Sequence, residues 1–111
     1  MKSSLLAIVL LTLAAVFEVA GDAVIRRGLR GGALVVLLGG CLMLAAYGVV
    51  VNLVPWDFSR LLGVYVAVFA AAAILAGRFV FGDVVPGSTW VGLGVIAIGA
   101  LIIQLGPAFS A

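Results

Sequence analysis

Histidine is absent from this 111-residue chain, cysteine occurs once, proline three times, and only 9% of the residues are charged. Each shortage excludes something. Without an imidazole no nucleophile–base set can be assembled, so the residues point away from an enzyme. The single thiol, Cys41, lies inside an apolar run, which excludes an intrachain disulfide and leaves nothing at metal-ligand spacing. No metal or cofactor is therefore expected. Six basic and four acidic side chains are too few to keep a compact surface soluble in water, where domains devote about 25% of their residues to charge. The resulting net charge of +2 bears on membrane orientation, since no basic stripe or base-stacking aromatic platform suggests a nucleic acid partner.

What the chain has in abundance is hydrocarbon. Hydrophobic residues make up 67% of it and the mean hydropathy is +1.47, against roughly 45–50% apolar residues in soluble domains. Such a chain belongs in a lipid bilayer. Charges, prolines and glycines mark off four apolar segments, over about 5–25, 33–54, 61–81 and 90–105. Each is near the roughly 20 residues that cross a hydrocarbon core of about 30 Å. The expectation is an all-α membrane protein, one four-helix transmembrane domain over 1–111, with short loops and no tandem repeat. Lys2 followed by an apolar stretch to Phe17 also resembles a secretory signal peptide. Against that, the apolar register resumes beyond Glu18 through "VAGDAVI", and no clear small-x-small cleavage site precedes the arginines.

Glu18 stands inside the first of these segments. An ionised carboxylate at membrane depth costs about 2.5–3.5 kcal/mol on insertion scales, so such residues face a bundle interior or a watery cavity and are functional by default. Loss of water disfavours the charged form of a carboxyl group and strengthens its hold on a proton. Glu18 is therefore a proton-switch candidate. On a helix, Leu11, Ala14, Ala15, Gly21, Asp22 and Ile25 lie three, four or seven positions from it, so small neighbours surround the acid and leave room for a ligand. The bland alternative is a structural ion pair. Asp22 continues the same ladder toward Arg26, and the nearness of that arginine favours a structural pair over a second acid sharing the proton site.

"EVAGDAVIR" resembles the first-helix pattern of the small multidrug resistance transporters, four-helix proteins of about this length whose first helix carries a membrane-embedded glutamate. The fourth segment agrees, since "GLGVIAIGALIIQL" has Gly92 and Gly99 seven apart before an aliphatic run and an amide, much as in that family's dimerising helix. Those glycines share one helix stripe and would admit another helix closely, within the monomer or between subunits. Pro55 also falls where the family places a proline. The third segment departs: Gly63 stands where a tryptophan is expected and Arg60 where a tyrosine is. "DFSRLLGVYVAVF" is instead similar to the YnfA-type relatives, which Phe58, Arg60, Tyr65 and Phe69 fit. An arginine there repels cations unless an acid such as Asp57 neutralises it. Trp56 and Trp90, at helix ends, read as interfacial anchors.

The resemblance implies an antiparallel dimer in the plasma (inner) membrane, with two Glu18 side chains lining a shared cavity. It implies antiport, in which protons and a small substrate, cationic in the typical members, compete for those carboxylates. Leu11, Ala14, Asp22 and Tyr65 would line the site, Arg60 and Phe69 the pathway, and Gly92 and Gly99 the dimer contact. Two other classes share the length and helix count: a lipid-linked-sugar flippase subunit, whose known relatives typically lack the first-helix glutamate, and a membrane scaffold. Lys2 and Arg60 lie on one side of the membrane and Arg26, Arg27, Arg30 and Arg78 on the other, which biases both termini outside. If Arg26 is buried against Asp22 the bias nearly vanishes and dual insertion would permit a homodimer. With the full bias, the antiparallel partner would be an oppositely oriented paralogue.

Overall fold

A computed structural model describes residues 2–106, with side chains from Leu5 onward. Four helices account for the architecture: α1 (Lys2–Leu29), α2 (Leu34–Val51), α3 (Phe58–Phe79) and α4 (Gly87–Leu105), with no strand among the described residues. Each contains a span long and apolar enough to cross a bilayer, over Leu5–Leu29, Leu34–Val51, Phe58–Phe79 and Gly87–Leu105. The protein is a multi-pass membrane protein. Large apolar side chains such as Leu42 and Ile102 are mostly exposed, as lipid-facing residues must be where the solvent is hydrocarbon.

The helix ends differ from the apolar segments by a few residues, each for a local reason. α1 runs past Ile25 through Arg26 and Arg27 because cations are favoured at the negative end of a helix. It stops where Gly31 adopts φ 101° and the N–H of Gly32 donates to the carbonyl of Arg27, a bond from the second residue past the cap that ends many helices. α2 ends at Val51 rather than 54. Pro55 disfavours helical backbone at Val54, and the last turn tightens as Leu53 and Val54 donate to Val50 and Val51. α3 starts three residues earlier than 61 because Asp57 is its N-cap and its carbonyl accepts the N–H of Leu61 at 2.8 Å. It closes at Phe79, short of the expected 81, before Gly82 at φ 69°. α4 likewise starts at Gly87, since Pro86 fits the N-cap and the helix needs no apolar residue in its first turn.

The chain divides into two compact units, Met1–Pro55 and Trp56–Ala111. In the first, α1 and α2 form a hairpin whose register can be read from its glycines. A Cβ at Gly28 would lie 2.9 Å from Leu37, one at Gly40 2.6 Å from Ile25 Cγ1, and one at Gly21 2.9 Å from Leu44 Cδ2. The paired residue numbers add to 65 in each case, as an antiparallel pair in one register requires. Continued along the hairpin, the same register sets Glu18 opposite Tyr47, Ala14 opposite Val51 and Leu11 opposite Val54. The burial pattern agrees: Leu11, Ala14, Val51 and Val54 are all nearly inaccessible. On α1 the seam follows Ala7, Leu11, Ala14, Glu18, Gly21, Ile25 and Gly28, alternating steps of four and three that keep one stripe on the partner helix. Small residues on that stripe let the backbones close, which drives helix association where lipid offers no hydrophobic gain.

In the second unit α3 packs on α4, also antiparallel. Gly63 meets Ile103, whose Cδ1 would lie 2.8 Å from an added Cβ, and Arg60 meets Gln104. Leu61, Tyr65 and Ala100 are buried on this side.

Candidate proton and substrate site

α1 places Glu18 one residue past the midpoint of its Leu5–Leu29 span, in the α1–α2 seam and half-buried. Tyr47 of α2 lies within electrostatic reach of both Glu18 and Asp22, as the hairpin register requires for Glu18. A phenol opposite a carboxyl group can donate to the charged acid or accept from the neutral one, so it can accompany a change of protonation. Nothing in the sequence alone distinguishes Tyr47 from its apolar surroundings. The signal that finds it is its place in the series Leu37, Gly40, Leu44, Tyr47, Val51 on α2, which has meaning only once the α1 seam is known.

The other residues expected around Glu18 separate into different roles. Leu11 and Ala14, expected to border open space, are 2% and 0% exposed and fill the seam with α2. At these two positions that face is packed, because Val51 of α2 and Val54 just beyond it come against it. Asp22 is exposed, near enough to Tyr47 for its charge to be felt there, and no ion pair joins it to Arg26, which is also exposed. The i, i+4 spacing permits that pair, but both side chains stay exposed and apart.

Tyr65, Phe69 and Arg60 belong to the second unit. Tyr65 is 4% exposed and its ring stacks on Phe69 at a centroid distance of 6.3 Å and an interplanar angle of 29°. Arg60 donates from Nε to Gln104 Oε1 at 2.9 Å, and its guanidinium lies 4.2 Å from the centroid of the Trp56 ring. Both partners are neutral. Trp56 therefore has a second role beside any interfacial one: with Gln104 it holds the arginine's plane in a fixed orientation. Asp57 is exposed and serves as the α3 N-cap without a side-chain cap bond. Ile103 occupies the space beside Gly63, so a tryptophan at that position would collide with α4.

Gly92 and Gly99 have no atom within 4 Å of an added Cβ. Within the second unit, among the described residues, neither glycine packs against a neighbour. The double variant Gly92→Leu/Gly99→Leu is accordingly expected to keep its helical content and melting temperature while losing most of its dimer. Crosslinking or single-molecule subunit counting checks this; an unchanged dimer population would remove both glycines from the interface.

Among the described residues no group of three or more histidine, cysteine or acidic side chains is arranged to hold a metal ion. Comparison with curated proteins and with solved structures gave no match. A family model described as "Uncharacterised BCR, YnfA/UPF0060 family" matches residues 4–108. With four spanning helices, a mid-span glutamate and a third helix carrying Arg60, Tyr65 and Phe69, matched over nearly its whole length, the chain belongs to the YnfA/UPF0060 family.

Proposed function

We propose that this protein is a proton-coupled exporter of small molecules, in which protons and substrate compete for Glu18. One observation carries the reading: a half-buried carboxyl group near the middle of an apolar span, in a close helix seam and opposite a tyrosine. A packing role alone is poorly served by an acid, because burying it costs several kcal/mol that an alanine would not. The family is related to transporters of the small multidrug resistance type, and its four-helix membrane architecture suggests a non-enzymatic protein.

The working unit in this reading is an antiparallel dimer in the plasma membrane, a homodimer or a pair with an oppositely oriented paralogue. Two Glu18 side chains then face a shared cavity. When both are protonated they exert no net attraction on a cation, and when they release protons they do. Substrate binding and proton release are thereby linked, and alternation of the dimer between its two openings converts the link into antiport. Tyr47 and Asp22 would complete the Glu18 site, while Tyr65, Phe69 and Arg60 would line the pathway. Arg60 rests on neutral partners and keeps its positive charge, so a purely cationic substrate meets repulsion there. A substrate with a neutral or acidic polar part suits that end better.

The direct test is proton release. Purified protein in weakly buffered detergent, with a pH-indicator dye, is expected to release protons when a lipophilic ammonium or zwitterionic compound is added and to take them up on dilution. A ligand that binds without moving protons would leave a scaffold or a lipid flippase as the better reading. Tyr47→Phe keeps the ring in the seam and removes the hydroxyl. It is expected to lower pH-driven uptake by about tenfold, the scale of a hydrogen bond to a charged group. Unchanged uptake would reduce Tyr47 to a packing residue.

A further inference from the structure

The loop between α3 and α4 holds a cleft that the transport reading does not use. At the end of α3, Val80 and Phe81 both donate to the carbonyl of Ala76, Gly82 reverses the chain at φ 69°, and the N–H of Asp83 returns to the carbonyl of Gly77 at 2.8 Å. The backbone thus pins Asp83 over the last turn of α3. Its carboxylate rests against Gly77, where a Cβ would stand 2.7 Å from Oδ2; any side chain at position 77 would push it away. Beside it opens a cleft of about 440 Å³, with apolar walls from Ala73, Ile74, Val84 and Pro86 and a hydroxyl from Thr89. The cleft is shallow and open to its surroundings, with Asp83, Val84 and Pro86 themselves exposed, so a ligand lies along it rather than inside it.

Negative charge prevails there. Asp83 is the one ionisable residue in the lining, and it lies at the carbonyl end of α3, equivalent to about half a negative charge. The opposing N-terminal end of α4 contributes about half a positive charge, which a full carboxylate together with α3 outweighs. Arg78, nearby in sequence, turns its guanidinium to the Phe79 ring at 5.4 Å.

We propose that this cleft binds an organic ammonium group at the Asp83 carboxylate, with the apolar body of the ligand along Ala73, Ile74 and Pro86. The amine headgroup of a membrane lipid and a free amphiphilic amine present the same chemistry to it. The full-length protein in dodecyl maltoside micelles, which carry no amine, is titrated with benzylammonium while the Gly77 and Thr89 amide chemical shifts are followed. Saturable shifts are expected, weakened about tenfold or more in Asp83→Asn, as for loss of a charged partner. Gly77→Ala, which keeps the charge but displaces the carboxylate, is expected to weaken binding with helical content unchanged. Glu18→Gln is expected to leave this binding intact, which separates the cleft from the proton site. Equal titration of wild type and Asp83→Asn, equal shifts with uncharged benzyl alcohol, or loss of the shifts in Glu18→Gln would each overturn the proposal. Phosphatidylethanolamine added to the micelles identifies the source. Competition with benzylammonium in the wild type but not in Asp83→Asn supports a lipid headgroup, and absence of competition supports a free amine.

Discussion

Glu18→Gln is expected to reduce pH-gradient-driven uptake into proteoliposomes to the level of protein-free vesicles, while the variant still inserts and dimerises. Glutamine has nearly the shape of glutamic acid and cannot ionise, so the substitution removes the exchangeable proton and the negative charge and little else. Insertion gains from it, because an uncharged amide is less costly at mid-span than a carboxylate. A loss of transport therefore reports on chemistry rather than on folding. The half-buried setting of Glu18 has room for the amide, and the seam residues on either side, Ala14 and Gly21, are unaffected. Glu18→Asp keeps an acid but withdraws it by one methylene, and is expected to retain coupled uptake with an altered pH dependence. Full activity in the glutamine variant would end the proposal that protons and substrate share this residue.

Gly40→Val is expected to be the most destabilising single change in the first unit, by about 1–3 kcal/mol as overpacking of a close contact. An added Cβ would stand 2.6 Å from Ile25 Cγ1, 2.8 Å from the backbone N of Ile25 and 3.0 Å from the carbonyl of Gly21. Side chains can turn aside, but backbone atoms of a helix cannot, so α1 must retreat and the seam that holds Glu18 and Tyr47 opens with it. Gly39→Val is the control. Position 39 meets nothing within 4 Å, and the same β-branched residue is introduced into the same helix one position away. Thermal unfolding in detergent, followed by circular dichroism, should show a lowered midpoint for the Gly40 variant and a near-native one for the Gly39 variant. Equal effects at the two positions would mean that valine acts through helix propensity and that the seam is not where the glycine matters.

Four spans and an acid within one of them were legible in the sequence, because both depend only on a residue's own chemistry and on the length of its apolar surroundings. A stretch such as 34–51 must cross a bilayer whatever it packs against, and Glu18 is costly there whatever its neighbour. The fold class follows from this alone. Which side chains meet is a different kind of information. α2 is apolar all round, so its sequence names no preferred face, and only the close approach of Gly21, Gly28 and Gly40 to α2 and α1 fixes the register that sets Tyr47 against Glu18. For the same reason Leu11 and Ala14, which helix spacing places beside the acid, are packing residues in the structure. Local spacing offers Asp57 to Arg60 and Arg26 to Asp22, whereas the structure gives Arg60 to Gln104, 44 residues away, and leaves Asp22 exposed without that ion pair. At Asp83 the decisive fact is a reversal at Gly82 that folds the acid back onto Gly77. Hydropathy determines that a helix spans the membrane, but its rotation and register come from the fit of small residues and backbone against a neighbour, which exists only once the helices are side by side.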